Sequence, residues 1–135
     1  MAQIYKRIVV RTNPAVKFPN EVLQDHLKVP VLQSYKYVIG LIKSGAITQI
    51  LNCITDEFTY ELVVVFNTKA DLTAYLANAN NLETVYNTMA LTDTEWNDYC
   101  IAANMTVSYT SGSMPVPVGV PVELSLLESL VATLP

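Results

Sequence analysis

The sequence predicts an α+β sandwich in which helices cover one face of an antiparallel sheet. Two runs of strand-forming residues, Ile47–Thr55 and Phe58–Asn67, flank the dipeptide Asp56-Glu57, as expected for a tight hairpin. One face of the second run is wholly apolar and consists of Phe58, Tyr60, Leu62, Val64 and Phe66. Apolar residues at helical spacing occur on both sides of this hairpin in the sequence. An apolar sheet face must be covered, so we expect these helices to pack on it.

The chain begins with a predicted strand, Gln3–Thr12, which ends before Asn13-Pro14 because proline removes a backbone donor. Its inward face is predicted to carry Ile4, Ile8 and Val10, and its opposite face Tyr5, Arg7, Val9 and Arg11. A short helix is predicted to follow Pro19-Asn20, with an apolar side of Val22, Leu23, His26 and Leu27.

A longer helix precedes the hairpin, and its apolar positions are Val31, Leu32, Tyr35, Val38, Ile39 and Ile42. Gly45 is suited to end this helix, because glycine adopts the left-handed conformation that helix termini favour. After the hairpin, Thr68–Asp71 resembles a capping box, and a helix with Leu72 and Tyr75 inward is predicted from there. Asn80-Asn81 is expected to interrupt it.

A further helix is predicted to begin at the capping box Thr92–Glu95 and to bury Trp96, Tyr99, Cys100 and Ala103. The last strand is predicted at Met105–Thr110, ended by Ser111-Gly112-Ser113. The order is therefore strand, helix, strand, strand, helix with an additional helix, and strand. This order predicts a ferredoxin-like βαββαβ sandwich, with the antiparallel sheet carrying its helices on one face.

The C-terminal arm, residues 114–135, is predicted to be separate from the α+β domain of residues 1–113. Its first part, Met114–Val122, alternates valine with proline and is expected to be extended and semi-rigid. A short helix then presents Leu127, Leu130, Val131 and Leu134 on one side. A helix this short needs a surface to bury it. The arm can dock on its own domain or on a neighbouring subunit, and we favour exchange between subunits with these four residues as the interface.

Composition excludes several classes of function. The net charge is −4, and the eight basic residues form no cluster, so we expect no nucleic-acid partner. No apolar run approaches the ~20 residues of a membrane span, and the first residues do not resemble a signal peptide. Cys53 and Cys100 are expected to be reduced core thiols, and His26 cannot complete a zinc site with them. We therefore predict no cofactor, no metal and a cytoplasmic or virion location.

Four residues are candidates for chemistry. His26 is the only side chain that titrates near neutral pH without help, although a surface position is its ordinary explanation. Tyr35, Arg7 and Arg11 join it as pocket candidates, since arginines can hold an acidic ligand. The sheet face opposite the helices is expected to carry Tyr5, Arg7, Arg11, Glu61, Thr106 and Ser108. This face either lines a cavity or is an ordinary polar face or subunit contact, and we favour the second interpretation.

The segment Tyr60–Leu76 resembles the second half of the dimeric α+β barrel families, such as the stress-responsive barrel domains and the antibiotic-biosynthesis monooxygenase group. In those families a strand ending in Phe is followed by a short polar cap and a helix with Leu and Tyr. The matching positions here are Phe66, Thr68–Asp71, Leu72 and Tyr75. The resemblance implies the fold and a dimer. The sequence departs from it at Asn78–Asn81, where some of these families have a histidine, and in the C-terminal arm.

Two functions are consistent with these observations. The first is a non-catalytic structural or assembly protein that forms homo-oligomers, or joins a larger particle such as a virion, through its C-terminal arm. The alternative is a cofactor-free small-molecule enzyme or ligand-binding protein of the dimeric α+β barrel type. An enzyme requires an enclosed cavity with convergent polar groups. An assembly protein should lose its oligomeric state when the arm no longer binds.

Overall fold

The computed structural model describes residues 1–13, 15, 29–92, 94, 97–98, 101 and 104–134. It is a mixed α+β fold with a five-stranded antiparallel sheet of strand order β4-β1-β3-β2-β5. The strands are β1 (Ala2–Val10), β2 (Ile47–Ile54), β3 (Thr59–Phe66), β4 (Thr106–Met114) and β5 (Val120–Pro121). The helices are α1 (Val29–Ser44), α2 (Lys69–Ala77), α3 (Leu82–Thr92) and α4 (Leu124–Val131).

The predicted hairpin joins β2 and β3. Asp56 makes the turn, because its Oδ1 accepts hydrogen bonds from the backbone N–H groups of Phe58 at 2.7 Å and Thr59 at 2.9 Å. This is the local side-chain bonding that makes aspartate a frequent turn residue. The two strands then pair in antiparallel register, with Leu51 opposite Val63.

The predicted residues end α1 and begin α2. Gly45 has a φ of +85°, and its N–H donates to the carbonyl of Ile42 at 3.1 Å, which ends α1. Thr68 caps α2, since its hydroxyl oxygen accepts from the N–H of Asp71 at 3.1 Å. The predicted interruption after α2 is also present, and the buried Asn81 organises it. Its Oδ1 accepts from the N–H of Thr84 at 2.8 Å and so caps α3.

The main core lies between the sheet and the helices. Its fully buried residues come from three strands and three helices: Tyr5, Val38, Ile39, Ile47, Ile50, Val64, Phe66, Leu72, Tyr75 and Leu127. A second group joins α1 and α3 and consists of Val31, Leu82, Val85, Tyr86 and Met89. The predicted apolar face of β3 therefore packs against the helices as expected.

The predicted orientation of β1 is wrong. Tyr5 and Arg7 lie opposite Val64 and Leu62 of β3 and share their helix-covered face, whereas Ile4 packs on the other side of the sheet. Both faces of this strand carry apolar residues, so alternation alone does not choose between them. The register with β3 makes the choice. Arg7 can be buried on the helix side because it has an acidic partner there.

Two other boundaries differ from the prediction. Strand β4 continues past Thr110 to Met114, because it pairs with the whole of β1, and Gly112 within it has a φ of +136°. Thr92 lies within α3 and its hydroxyl donates to the carbonyl of Thr88 at 2.8 Å, so Thr92 does not begin a new helix. The predicted helix at Val22–Leu27, with His26, and the residues Trp96, Tyr99, Cys100 and Ala103 lie outside the described residues.

Candidate functional site

A charged pair lies between the sheet and α3. The Arg7 Nη1 atom donates to Glu83 Oε2 at 2.7 Å, and both side chains are largely buried, at 6% and 12% exposure. The Tyr5 hydroxyl donates to the same Glu83 oxygen at 2.7 Å. Glu83 stands in the first turn of α3, where the helix dipole favours a negative charge. Two donors and the dipole thus stabilise one carboxylate in the interior.

Tyrosine side chains surround the Arg7–Glu83 pair. The Arg7 guanidinium makes a cation–π contact with Tyr86, at 4.2 Å from the ring centroid. Tyr86 lies one helical turn after Glu83 on the same helix. The Tyr86 hydroxyl shares a hydrogen bond with that of Tyr35 on α1. The group is completed by Tyr75, whose hydroxyl oxygen accepts from the backbone N–H of Leu82 at 3.0 Å. We call these residues the buried polar cluster: Tyr5, Arg7, Tyr35, Tyr75, Glu83 and Tyr86.

The tyrosines of this cluster are neutral near pH 7. Burial raises the pKa of each phenol above its ordinary value, and for Tyr5 the hydrogen bond to Glu83 raises the pKa further. A neutral phenol donates or accepts a hydrogen bond but is a poor nucleophile and a poor base. The cluster therefore contains one balanced ion pair surrounded by neutral hydroxyls, an arrangement that suits structural hydrogen bonding.

The structure brings two of the four predicted pocket residues together. Arg7 and Tyr35 both contact Tyr86, on the helix side of the sheet. Arg11 is separate: its Nε atom donates to the Glu57 carbonyl at the β2–β3 turn, at 2.7 Å. His26 lies outside the described residues. Glu61, Thr106 and Ser108 lie on the face opposite the helices, as predicted, but Tyr5 and Arg7 do not.

Sequence reasoning missed Glu83 and Tyr86 as partners of Arg7. One signal was available, because residues three apart on a helix share a face, and Glu83 therefore lies beside Tyr86 in an apolar stripe. A carboxylate in such a stripe indicates a buried cation nearby.

The C-terminal arm is the second feature of interest, and it begins by crossing the sheet. Strands β4 and β5 form opposite edges, yet only the crossing segment, Pro115–Gly119, separates them in the chain. It passes over the face opposite the helices. Met114 packs there on the buried residues Ile4, Leu51, Cys53, Val63 and Val65. At its other end, a Cβ added to Gly119 would lie 2.5 Å from Cys53 Sγ, so the backbone is in close contact with this face.

The arm then continues around the β2 edge to the helix side. Val120 pairs with Asn52, and the Val122 N–H donates to the Ile50 carbonyl at 2.8 Å. Helix α4 follows and packs on α1, with an exposed ion pair of 3.6 Å between Lys43 and Glu128. The arm therefore contacts both faces and one edge of the sheet within the single chain.

The four predicted interface residues on α4 and just after it differ in burial. Leu127 is 3% exposed and belongs to the main core. Val131 is half-buried and packs against the same core, and Leu130 and Leu134 are also half-buried. The outer surface of the crossing segment is apolar and exposed, most of all at Val118, which is 99% exposed.

Two features are absent from the described part of the chain. None of its helices is long and apolar enough to cross a membrane. Within the same residues, no three His, Cys, Asp or Glu side chains are grouped closely enough to hold a metal ion.

No protein-family model and no curated protein matches this sequence. Among solved structures, the chain is similar to the crystal structure of NE2512, a protein of unknown function from Nitrosomonas europaea, at 12% sequence identity and a TM-score of 0.36. The match covers 88% of this chain and 98% of that chain. A likeness at this level carries no argument about fold or function.

Proposed function

We propose that this chain is a non-catalytic structural protein that forms homo-oligomers by exchanging its C-terminal arm between copies. The observation that carries this proposal is the length of the crossing segment relative to the distance it spans. Met114 and Val120 lie four strand spacings apart across the sheet and five residue positions apart along it, because Met114 pairs with Ala2 whereas Val120 lies in the row of Arg7. From Met114 to Val120 the chain can reach about 20 Å when fully extended.

A connection this short has almost no slack. Short connections favour domain swapping, because the arm can make the same contacts on a second copy. Proline suits such a role, since its fixed φ keeps the arm extended and lowers the entropy lost on docking. On a second copy, Leu127 would fill the same core position, and Leu130, Val131 and Leu134 would lie at the same boundary.

The apolar outer surface of the arm supports assembly beyond a dimer. Val116 and Val118 on the crossing segment are 42% and 99% exposed and lie two positions apart. Exposed valines on an extended segment are a suitable contact for another subunit. We place the protein in this role in the cytoplasm or in a larger particle such as a virion.

We also propose that the core belongs to the ferredoxin-like class. The order of β1, α1, β2, β3, α2 and β4 supports this assignment, as does the arrangement β4-β1-β3-β2 within the sheet. On this view α3, β5 and α4 are additions to the core.

A disulfide between positions 119 and 53 tests arm exchange. The Gly119→Cys variant, made in a Cys100→Ala background, places a second thiol beside the buried Cys53. Burial raises the pKa of the Cys53 thiol, so oxidation is carried out at mildly alkaline pH. Exchange predicts covalent dimers or larger species on non-reducing gels. Exclusive formation of internally linked monomers would overturn the proposal.

The matched control for this experiment is Gly119→Ser in the same background. It adds a side chain of similar size but cannot form the disulfide. Light scattering of both variants before oxidation shows whether the substitution itself changes the oligomeric state.

A cofactor-free enzyme or ligand-binding protein of the dimeric α+β barrel type is the second candidate. It is favoured by one observation, the position of the buried Arg7 and the half-buried Tyr35 between the sheet and the helices. Against it, the Arg7 charge is already balanced by Glu83 and stacked on Tyr86. Thermal shift with a panel of small carboxylic acids tests this candidate. Stabilisation of the native protein that is lost in Arg7→Lys would favour it, because lysine keeps the charge but not the bidentate geometry.

A further inference from the structure

Among the described residues, a regular set of backbone groups on the outer edge of β4 has no hydrogen-bond partner. In antiparallel strands, alternate residues direct both N–H and C=O toward the same neighbour. The Arg11 N–H donates to the Phe58 carbonyl at 2.8 Å, so the odd-numbered residues of β1 bond to β3 and the even-numbered ones to β4. Their partners in β4 are Thr106, Ser108, Thr110, Gly112 and Met114. The backbone groups of Val107, Tyr109, Ser111 and Ser113 therefore point away from the sheet.

Three common protections against edge pairing are missing from β4 itself. Natural edge strands are shortened or carry lysine or proline. The opposite edge, β5, is two residues long and contains Pro121. In contrast, β4 is nine residues long and contains neither a charged residue nor a proline. Val107 and Tyr109 on it are 38% and 53% exposed.

We propose that two copies of this chain pair through β4, antiparallel about a two-fold axis at Thr110. This axis places Val107 opposite Ser113 and Tyr109 opposite Ser111 of the second copy, so every outward-pointing N–H and C=O finds a partner. The absence of charge in β4 makes the edge self-complementary, because no like charges meet across the axis. The two five-stranded sheets become one continuous sheet.

This interface is distinct from the exchanged arm. Each of the two is isologous, and a closed dimer results from either one alone. Together they would link copies successively, since every chain then has two different partners. The edge pairing does not depend on arm exchange, because the arm leaves the sheet from Met114 and does not cover the outer side of β4.

The test uses a disulfide on the proposed axis. Thr110 and its symmetry mate form a non-hydrogen-bonded pair, whose Cα atoms lie about 4.5 Å apart, which is within disulfide range. Thr110→Cys, in a Cys53→Ala and Cys100→Ala background, is therefore expected to give a covalent dimer on mild oxidation. Thr106→Cys is the matched control. It is an equally exposed threonine on the same strand and face, but it lies roughly 27 Å from its symmetry mate.

A dimer yield for Thr110→Cys no higher than for Thr106→Cys would overturn the proposal. A second measurement uses Ser111→Pro, which removes an outward N–H without removing a bond to β1. We expect it to lower the weight-average mass in sedimentation experiments at least twofold, because an edge dimer falls to monomers and a longer assembly falls to smaller units. Ser111→Lys is the second edge variant and Gln49→Lys its control, an equal charge at an exposed position far from β4. Equal masses for all four proteins, including the unmodified chain, would also contradict the pairing.

Discussion

Replacing Leu127 by alanine tests how firmly the C-terminal arm is part of the core. The side chain is 3% exposed and packs among residues of β1, α1, β2, β3 and α2. Removing its three terminal carbon groups forfeits about 2.4 kcal/mol of transfer free energy at about 0.8 kcal/mol each. The cavity that remains adds to this loss, so leucine-to-alanine changes in cores cost about 2–5 kcal/mol. We expect a loss of about 3 kcal/mol in the free energy of unfolding, which is the transfer term plus a small cavity term and lies within that range.

Urea unfolding followed by circular dichroism measures this effect, at one fixed protein concentration because assembly contributes to stability. Leu126→Ala is the control, because Leu126 lies next to Leu127 on the same helix but is 45% exposed. It should cost less than about 1 kcal/mol. If both variants lose the same stability, helix α4 is not buried as described, and the account of the arm fails.

Three further predictions concern the interior and the crossing segment. Glu83→Gln should cost about 3 kcal/mol or more, because it leaves the buried Arg7 without a counter-charge. Glu61→Gln, which removes the more exposed 3.7 Å pair with Lys6, should cost under about 1 kcal/mol. Equal losses in urea unfolding would contradict the buried pair. Gly119→Ala should lower the free energy of unfolding by about 1–3 kcal/mol, because its Cβ would meet Cys53 Sγ and the Asn52 carbonyl. Gly40→Ala, the control, has open space in α1 and should raise the free energy of unfolding by up to about 1 kcal/mol. An unchanged melting temperature for Gly119→Ala would rule out the close contact. Stability should also fall steeply above about pH 10, because phenols with raised folded-state pKa values remain protonated while those of the unfolded chain ionise. Each such tyrosine removes about 1.4 kcal/mol per pH unit above that point. Tyrosinate absorbance should therefore rise together with unfolding. Ionisation of all eight tyrosines in the folded protein near pH 10 would contradict the raised pKa values of Tyr5, Tyr35, Tyr60, Tyr75 and Tyr86.

Local chemistry allowed much of the fold to be predicted. The turn at Asp56, the glycine at the end of α1 and the cap at Thr68 each depend on hydrogen bonds within a few residues. Such bonds are encoded in short sequence patterns. The α+β class followed from the same patterns, because alternating and helical periodicities appear in a definite order.

The orientation of β1 and the composition of the buried polar cluster could not be predicted in this way. Arg7 meets Glu83 across 76 positions of sequence, and the pairing depends on which face of β1 turns toward the helices. That choice is made by register with β3, which no local pattern specifies. Arg7 was therefore expected on an open face.

The path of the C-terminal arm over the sheet could also not be predicted from local sequence patterns. Its proline content predicts extension, and the spacing of Leu127, Leu130, Val131 and Leu134 predicts a buried helix face. Neither pattern shows that the arm crosses from one sheet edge to the other, because that follows from the position of β4 beside β1.

The most direct test of arm exchange is the isotopic composition of the 119–53 disulfide. Heavy- and light-isotope copies of the Gly119→Cys chain are mixed, unfolded, refolded together, oxidised and digested. Peptide pairs joined by the disulfide are then weighed by mass spectrometry. Arm exchange predicts pairs that contain one heavy and one light peptide. Pairs that are only heavy–heavy or light–light would show that each arm docks on its own chain, and would contradict the proposed assembly.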